Sequence, residues 1–562
     1  MRKLIGLDTE TVKVNSVHEF YSFQVHSEDF PNMHKFSIDA TDFLDYLTNQ
    51  TNGAWFVTFN LAFDGMVISK MLKGKGYIFD ACFAGSRMIR CTIRRGSLKW
   101  VLMDLRNVFP NTNLAKIGEV LKFNKLDKPE YLGKRAPETP QEMAYFIQYA
   151  MRDAEICYKM AKLIRDEFHT FRTTCAGLAI RIFKRDFCHI RKLPNYNDVL
   201  NAKLRLAYHG GRTECYIRGV NDEDESVYDV NSLYPYVMRE KQYPNILENF
   251  VHKSNADLDK EGIAHVQITQ DANFPPVGVK HLCVDGLIKL MFPNGTFDAW
   301  CTYPELRELE QSNSGKVNKI YEAYEWANTC NPFAPYIDFM YTKKEQASIH
   351  NSPQRMLYKI MLNGTYGKFG EHGSMTFRTY DGDVCILEAN PPPKKAWYHS
   401  VPWAAYITAY ARLHTWHIIK SLNPEKVYYT DTDCVHTPES LKHLCSNTLG
   451  ALKLEKTAKA HEACYIRSKF YMIGDAVTMK GFSVKDTAAQ IKLAIFQNNF
   501  TRYETRITKA LEAARIHKPT LYEYVLAKRF SVEEDGKRIF KRYLDNKQLL
   551  VEKALSVPCV VS

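Results

Sequence analysis

None of the fourteen cysteines lies three positions from another, so the chain contains no CxxC pair. That absence argues against zinc ribbons and a disulfide framework, and suits reduced thiols in an intracellular protein. No internal repeat or low-complexity tract is present, and only the PPP at 391–393 marks an obvious stiff loop. The opening apolar run, in MRKLIGLDTE, is cut by Asp8. It is too short for a signal peptide or a membrane span, and no membrane partner is expected.

What is present is bulk and positive charge. At 562 residues the chain is too long for one core and should divide into several domains. Its 75 basic and 63 acidic residues leave a net charge of +12, which favours a polyanionic partner. The 33 tyrosines and 31 phenylalanines suit stacking on bases as well as core packing.

In the N-terminal third, LIGLDTE (4–10) reads as a buried strand. A side-chain period of two puts Asp8 and Glu10 on one face. A second strand, AWFVTFN (54–60), leads into a helix near Asp64, and a third, KWVLMDL (99–105), follows. The run TPQEMAYFIQYAMRDAEICYKMAKLIRDEF reads as a helix. Thr139 serves as its N-cap, Pro140 fits the first position and Glu142 completes a capping box. Tyr149 and Asp153, four apart, share a face of it.

Taken singly, each of these acids is an ordinary surface feature. Together Asp8, Glu10, Asp64 and Asp153 can supply hard oxygen ligands for two divalent ions, as metal-assisted phosphodiester hydrolysis requires. The Tyr149 hydroxyl would orient the attacking water.

A second acidic centre lies in the C-terminal two thirds. YYTDTDCVH (428–436) reads as strand-forming, yet it places Asp431 and Asp433 one residue apart. Their repulsion calls for a cation between them. SVYDVNSLYPYVM (226–238) reads as another strand and supplies a third carboxylate, Asp229. Three such groups suit two magnesium ions engaged in phosphoryl transfer. Between these segments, SPQRMLYKIMLNGTYGKFG (352–370) reads as a helix with Ser352 as N-cap and Pro353 next. It carries Arg355, Lys359 and Asn363 at i, i+4 and i+8, with Tyr366 close to the stripe. Two cations, an amide and an aromatic ring are what a nucleoside triphosphate requires.

DTE, NLAFD and YAMRD resemble the three exonuclease motifs of proofreading DNA polymerases. DVNSLYP, KIMLNGTYG and YTDTD resemble, in order, the first palm, fingers and second palm motifs of family B DNA polymerases. The resemblance implies an α/β and α+β multidomain fold. A ribonuclease-H-like 3′–5′ exonuclease domain would occupy 1–170 and a linker region 171–225. Palm and fingers would span 226–485, with the thumb and C-terminal region over 486–562.

It further implies that Asn60 and Phe63 contact the frayed primer end, and that a lysine of KLDKPEY assists hydrolysis, with Lys128 fitting better than Lys125. Asp229 and Asp433 would be the principal polymerase metal ligands, with Asp431 contributing and the adjacent Val230 also at the metal. Tyr234 would reject a ribose 2′-hydroxyl. YHGGR resembles the Tyr-x-Gly-Gly linker, whose Tyr208, Gly210 and Gly211 would approach the template. RSKFYMI resembles the Lys-x-Tyr motif, whose Lys469 and Tyr471 would hold the primer terminus, and Lys480 would touch DNA. Gly364 and Cys434 replace common serines, and neither change removes a ligand.

Long stretches at 240–335 and 368–400 occur where protein-primed members carry two terminal-protein-region insertions. The second, with DGD at 381–383 beside VCIL, is expected to be a hairpin. The implied cofactors are Mg2+ or Mn2+, two ions per active site. The implied partners are template and primer DNA, dNTPs, a terminal protein and a single-stranded DNA-binding protein. The expected location is soluble and intracellular, in the host cytoplasm if the protein is viral. Two alternatives are a stand-alone 3′–5′ exonuclease with a DNA-binding C-terminal half and a degenerate polymerase acting as a replication scaffold.

Overall fold

A computed structural model describes residues 2–561 except 31, 50, 189, 191–192, 195, 284–285, 372–373, 381–382, 391–397, 483–485 and 516–520. The chain forms two bodies, residues 1–189, 338–396 and 503–527 in one and 190–337, 397–502 and 528–562 in the other. These borders differ from the sequence-based domain expectation. The expected palm-and-fingers stretch 226–485 divides, and its part from 338 to 396 belongs to the first body.

The first body is built on a nine-stranded sheet. Leu4–Val14 sits near one end, parallel to Trp55–Thr58, which is in turn parallel to Leu98–Asp104. Val17–His26 and His34–Ser37 extend the sheet on one side of Leu4–Val14, and Ile78–Ala84 and Arg87–Arg95 extend it beyond Leu98–Asp104. The strand Ser374–Tyr380 continues that edge by pairing with Ile78–Phe83, and Asp383–Asn390 pairs with it from outside. Residues 374–380 and 383–390 thus pair as an antiparallel hairpin. The expected turn residues Asp381 and Gly382 lie outside the described residues, as does the PPP loop.

The helix Pro140–Phe168 packs on this sheet as its sequence directs. Thr139 accepts a hydrogen bond from the Glu142 N–H and Pro140 starts the first turn. The expected capping box does not close. The Glu142 carboxylate instead accepts from the Glu138 N–H at 2.7 Å and pairs with Arg135 at 2.8 and 2.9 Å. Arg135 offers two charged donors where the Thr139 N–H offers one, so the stronger partner prevails. Gly6 decides how close this helix lies. A Cβ there would stand 2.0 Å from the Ala154 carbonyl oxygen and 2.9 Å from Tyr158. Only a residue without a side chain lets the turn containing Asp153 rest on the strand containing Asp8.

The second body holds a five-stranded sheet in which Glu225–Val230 lies between Leu452–Ala458 and Cys434–Thr437, followed by Tyr429–Asp431 and Thr213–Cys215. The strand read at 226–238 ends at Val230, and SLYP opens a helix, Leu233–Glu240. YTDTDCVH is not one strand either. Tyr429–Asp431 and Cys434–Thr437 are the arms of a hairpin with Thr432 and Asp433 at its tip. A continuous strand would bury both aspartates in the sheet, whereas the turn presents them at an edge.

Val251–Lys253, Gly315–Trp326, Glu261–Gln270, Asn294–Thr302 and Val560–Val561 form a separate five-stranded sheet. Helix Tyr303–Gln311 covers it with Tyr303, Leu306 and Leu309. All described cysteines are free thiols. No described helix is long and apolar enough to cross a membrane.

Candidate metal centres and nucleic-acid contacts

In the first body, Asp8 and Glu10 project from Leu4–Val14 toward the helix carrying Asp153. One carboxylate oxygen from each of these three lies within 4.8 Å of the others. Asp64 joins from the helix Leu61–Met71, where its Oδ1 accepts from the Thr9 N–H at 3.0 Å and the Thr9 hydroxyl at 2.8 Å. Asp8 Oδ2 accepts from Gln24 Nε2 at 2.5 Å.

Burial is the main reason these acids resist ionisation, and their mutual charge adds to it. Asp8 is driven well above the usual carboxylate range, by burial and then by Glu10, Asp64 and Asp153. Glu10 is pushed to about 8 by burial and by Asp153, and Asp64 to about 7 by burial, against the relief given by Thr9. Asp153 is also raised by burial, with Lys125 opposing the shift. Asp153 Oδ1 is buried with no hydrogen-bond partner. Together with three oxygens at chelating separation, this orphaned atom fits a hard divalent cation held by Asp8, Glu10 and Asp153.

Lys125, set second to Lys128 by the sequence reading, is the lysine that touches this centre. Its Nζ contacts Asp153 and lies 4.4 Å from the Tyr149 ring centre. Burial works to lower the Lys125 pKa, but Asp153 and Tyr149 outweigh it and raise it. Lys128 is exposed, and its charge reaches Glu10 only at longer range. Tyr149 is 5% exposed, its hydroxyl held neutral by burial and by the Asp153 charge.

Asn60 takes a left-handed conformation, φ 82° and ψ 50°, at the mouth of helix Leu61–Met71. Asp104 holds it there, accepting from the Asn60 and Leu61 N–H groups at 2.8 and 3.0 Å. Arg106 Nη1 donates to Asn60 Oδ1 at 3.2 Å, and Phe63 packs edge-on against His18. Asn60 and Phe63 line a cavity of about 370 Å³ with Arg87, Arg106 and Lys509. Asp104, Arg106 and Lys509 were missed in the sequence. An aspartate just before a helix was the available signal for the first of these.

The helix expected from Ser352 runs Gln354–Gly364, starting one residue later because Pro353 occupies its N-cap. Arg355, Lys359 and Asn363 are exposed and line one cavity of about 770 Å³, to which Lys116 and Lys122 also contribute. Tyr366 begins the separate short helix Tyr366–Phe369. A Cβ at Gly364 would stand 3.4 Å from the Cys175 backbone, an ordinary contact.

In the second body, Asp229, Asp431 and Asp433 line a cavity of about 380 Å³ with Glu455, Lys456 and Tyr471. Asp229 pairs across the sheet with Cys434, and the Val230 N–H donates to the Asp433 carbonyl at 2.8 Å. Among the described residues these three aspartates are not a group with oxygens all within 4.8 Å of one another. Asp431 is engaged elsewhere. Its Oδ2 accepts from Lys469 Nζ at 2.5 Å and its Oδ1 from the Thr213 hydroxyl at 2.8 Å. Asp433 is raised to about 6, by burial first and then by Asp431 and Glu455. Glu455 was missed in the sequence. It lies at a bulge between the pairs Val227–Lys456 and Tyr228–Leu454, and bulges re-aim side chains.

Lys469 stands in the turn between Ala463–Arg467 and Phe470–Ile473, with φ 59°, rather than on a strand. Its carbonyl accepts from the Lys480 N–H at 2.9 Å. Tyr471 packs among Tyr429, His436 and Tyr465, with ring centres 4.9–6.0 Å away. Tyr234 is half-buried in the first turn of Leu233–Glu240.

In YHGGR, Tyr208 is half-buried and Gly210 exposed. Gly211 abuts the hairpin tip, where a Cβ would stand 2.5 Å from the Thr432 hydroxyl. The Thr432 N–H donates to the Arg212 carbonyl at 2.7 Å. Arg412, 2% exposed, donates to the His209 and Gly210 carbonyls, each at 3.0 Å, and pairs with Glu305 at 2.6 Å. Gly211 therefore serves the aspartate hairpin directly.

Each body thus carries its own cluster of acidic side chains in or beside a cavity. Residues 139–380 match the family described as DNA polymerase type B, organellar and viral. The DNA polymerase of Bacillus phage phi29 is 26% identical over 494 residues, 82% of this chain and 80% of that protein. The DNA-directed DNA polymerase of Enterobacteria phage PRD1 is 27% identical over 359 residues, 58% of this chain and 59% of that protein. A probable DNA polymerase of Neurospora intermedia is 28% identical over 318 residues, 50% of this chain but 32% of that protein. These last two matches span less than two thirds of the curated relatives. The phi29 DNA polymerase complexed with primer-template DNA and incoming nucleotide shares the fold, with a TM-score of 0.76 and 19% identity over 94% of this chain and all of that one. Over residues 139–380 the chain is similar to the type B DNA polymerases of the organellar and viral kind.

Because the four carboxylates of the first centre have raised pKa values, the folded chain without metal holds protons that the unfolded chain has lost near neutrality. Their contribution is therefore present at low pH and lost as pH rises. Without divalent ions, thermal stability should fall between about pH 5 and about pH 8 more steeply than in an Asp8→Ala/Glu10→Ala variant. Added Mn2+ should stabilise the native chain more at the higher pH. Equal slopes for the two proteins in differential scanning calorimetry would contradict this reading.

Proposed function

We propose that the chain is a DNA-directed DNA polymerase with a 3′–5′ proofreading exonuclease, using a separate carboxylate centre for each reaction. The observation that carries this reading is the presence of both centres in one chain, each built on the motif residues expected for it. Divalent cations, Mg2+ or Mn2+ at two per centre, would supply Lewis acidity for attack at phosphorus.

The remaining work falls to side chains. At the first centre Asp8, Glu10, Asp64 and Asp153 bind cations, and Tyr149 donates a hydrogen bond to the attacking water. Lys125 pairs with Asp153 and opposes the rise in its pKa that burial causes. Asn60 and Phe63, with Arg106 and Lys509 beside them, receive the unpaired strand end in their cavity.

For synthesis, Asp229 and Asp433, with the Val230 backbone, hold the cations, and Asp431 orients Lys469 toward the primer terminus. Tyr471 packs beside them, and Lys480 steadies the Lys469 turn. Arg355 and Lys359 grip the β- and γ-phosphates, with Asn363 and Tyr366 completing the nucleotide contact. Tyr234 excludes the ribose 2′-hydroxyl, and the Tyr208–Gly210–Gly211 segment supports the template.

We also infer protein priming. Support comes from the two inserted units, one a sheet with a covering helix and one a hairpin, at the expected places. A terminal protein hydroxyl would replace the primer 3′-OH in the first transfer. The stand-alone exonuclease reading leaves the second centre without a role.

Asp433→Ala should abolish primer extension and leave digestion of single strands intact, while Asp8→Ala/Glu10→Ala should do the reverse. Loss of both activities from either folded variant contradicts the two-centre reading. In the same digestion assay Lys125→Met should cost about tenfold or more, because it leaves Asp153 buried without its charge partner, and Lys128→Met much less. Labelled dNTP incubated with the enzyme and the product of its neighbouring gene should yield a covalent protein–nucleotide adduct. Absence of that adduct with active enzyme counts against protein priming.

A further inference from the structure

The first body brings together a second set of metal-binding side chains, distinct from the acidic centre. His26, at the end of Val17–His26, pairs directly across the antiparallel register with His34 at the start of His34–Ser37. Their Nδ1 atoms are 2.9 Å apart. Glu155, on the helix above, places Oε1 3.7 Å from His34 Nδ1. One donor atom from each of the three lies within 4.8 Å of the other two.

The rings are held in place. Tyr158, on the same helix as Glu155, meets the His26 ring edge-on at 5.2 Å and 78°, and the two imidazoles stand perpendicular at the same separation. The neighbouring cation Lys159 is turned over the Phe123 ring, 4.9 Å from its centre. His34 is exposed, which leaves one side of the cluster open to water.

We propose that His26, His34 and Glu155 form a binding site for one late first-row divalent cation, with Zn2+ the best match. Two imidazoles and a carboxylate are borderline donors that suit zinc rather than magnesium. Tetrahedral zinc bonds of about 2.0–2.1 Å set donor atoms about 3.3–3.4 Å apart, between the 2.9 Å His26–His34 and 3.7 Å His34–Glu155 separations. Water would take the open fourth position. The ion would tie two edge strands to the helix that carries Tyr149 and Asp153. It would do so from another face of that helix, since Asp153 groups with Asp8 and Glu10 while Glu155 groups with the histidines. The site therefore offers a structural clamp on the helix behind the acidic centre. It does not depend on the enzymatic reading above.

The test uses the purified full-length chain in excess Mg2+, with Co2+ as the spectroscopic probe and Zn2+ for thermal stabilisation. Native protein and Asp8→Ala/Glu10→Ala should both bind one equivalent of Co2+ with visible d–d bands, displaced by Zn2+, and both should gain melting temperature with Zn2+. His34→Ala, at an exposed position, should bind about tenfold or more weakly and lose the Zn2+ gain. Glu155→Gln, which keeps side-chain shape, should weaken binding in the same direction and decides the matter if His34→Ala is unstable. Binding by these variants equal to the native chain, or no Co2+ bands in the native chain, overturns the site. Loss of binding in Asp8→Ala/Glu10→Ala alone overturns it as well, by assigning the ion to the acidic centre.

Discussion

The structure depends on holding carboxylates together against their own repulsion and away from water. At the first centre the cost is evident in Glu10 and Asp64, driven to about 8 and 7. A fold tolerates this only if the surrounding elements are fixed more firmly than the acids repel. Gly6 supplies part of that firmness by letting the Asp153 helix rest on the Asp8 strand. Lys125 supplies another part by placing a positive charge against Asp153 where solvent cannot.

The second centre meets the same problem by different means. There the acids sit at a hairpin tip, and the surrounding polar groups divide them unequally. Lys469 and Thr213 engage Asp431, while burial, Asp431 and Glu455 raise the pKa of Asp433. The tip is itself braced by close approach to Gly211 and by the buried Arg412–Glu305 pair behind the glycine segment. Four residues inside or beside the motifs adopt left-handed backbone: Asn60 (φ 82°), Ser232 (φ 53°), Thr432 (φ 66°) and Lys469 (φ 59°). For a β-branched residue such as Thr432 that conformation is costly, and the packing at Gly211 sustains it.

Much of this was legible in the sequence because the acids must recur in fixed local patterns. Period two placed Asp8 and Glu10 on one face, and a four-residue spacing placed Tyr149 and Asp153 together. What was not legible depends on partners distant in sequence. Lys125 and Lys128 share a loop with no periodicity, so only packing distinguishes them. Glu142 left the capping box for Arg135 because ionic partners outcompete an amide. The Asp431–Asp433 segment reads as strand by composition, yet the Arg212 carbonyl and the Gly211 gap turn it into a hairpin. Asp104 and Arg412 act on backbone groups contributed by other elements, Glu455 sits at a bulge that only the pairing reveals, and no local motif announces them.

The central claim is that two separate sets of carboxylates each gather divalent ions. Anomalous diffraction from crystals grown with Mn2+ tests it directly. Strong peaks should appear among Asp8, Glu10 and Asp153 and again in the cavity shared by Asp229 and Asp433. Peaks at only one of these places, or at neither, would contradict the account.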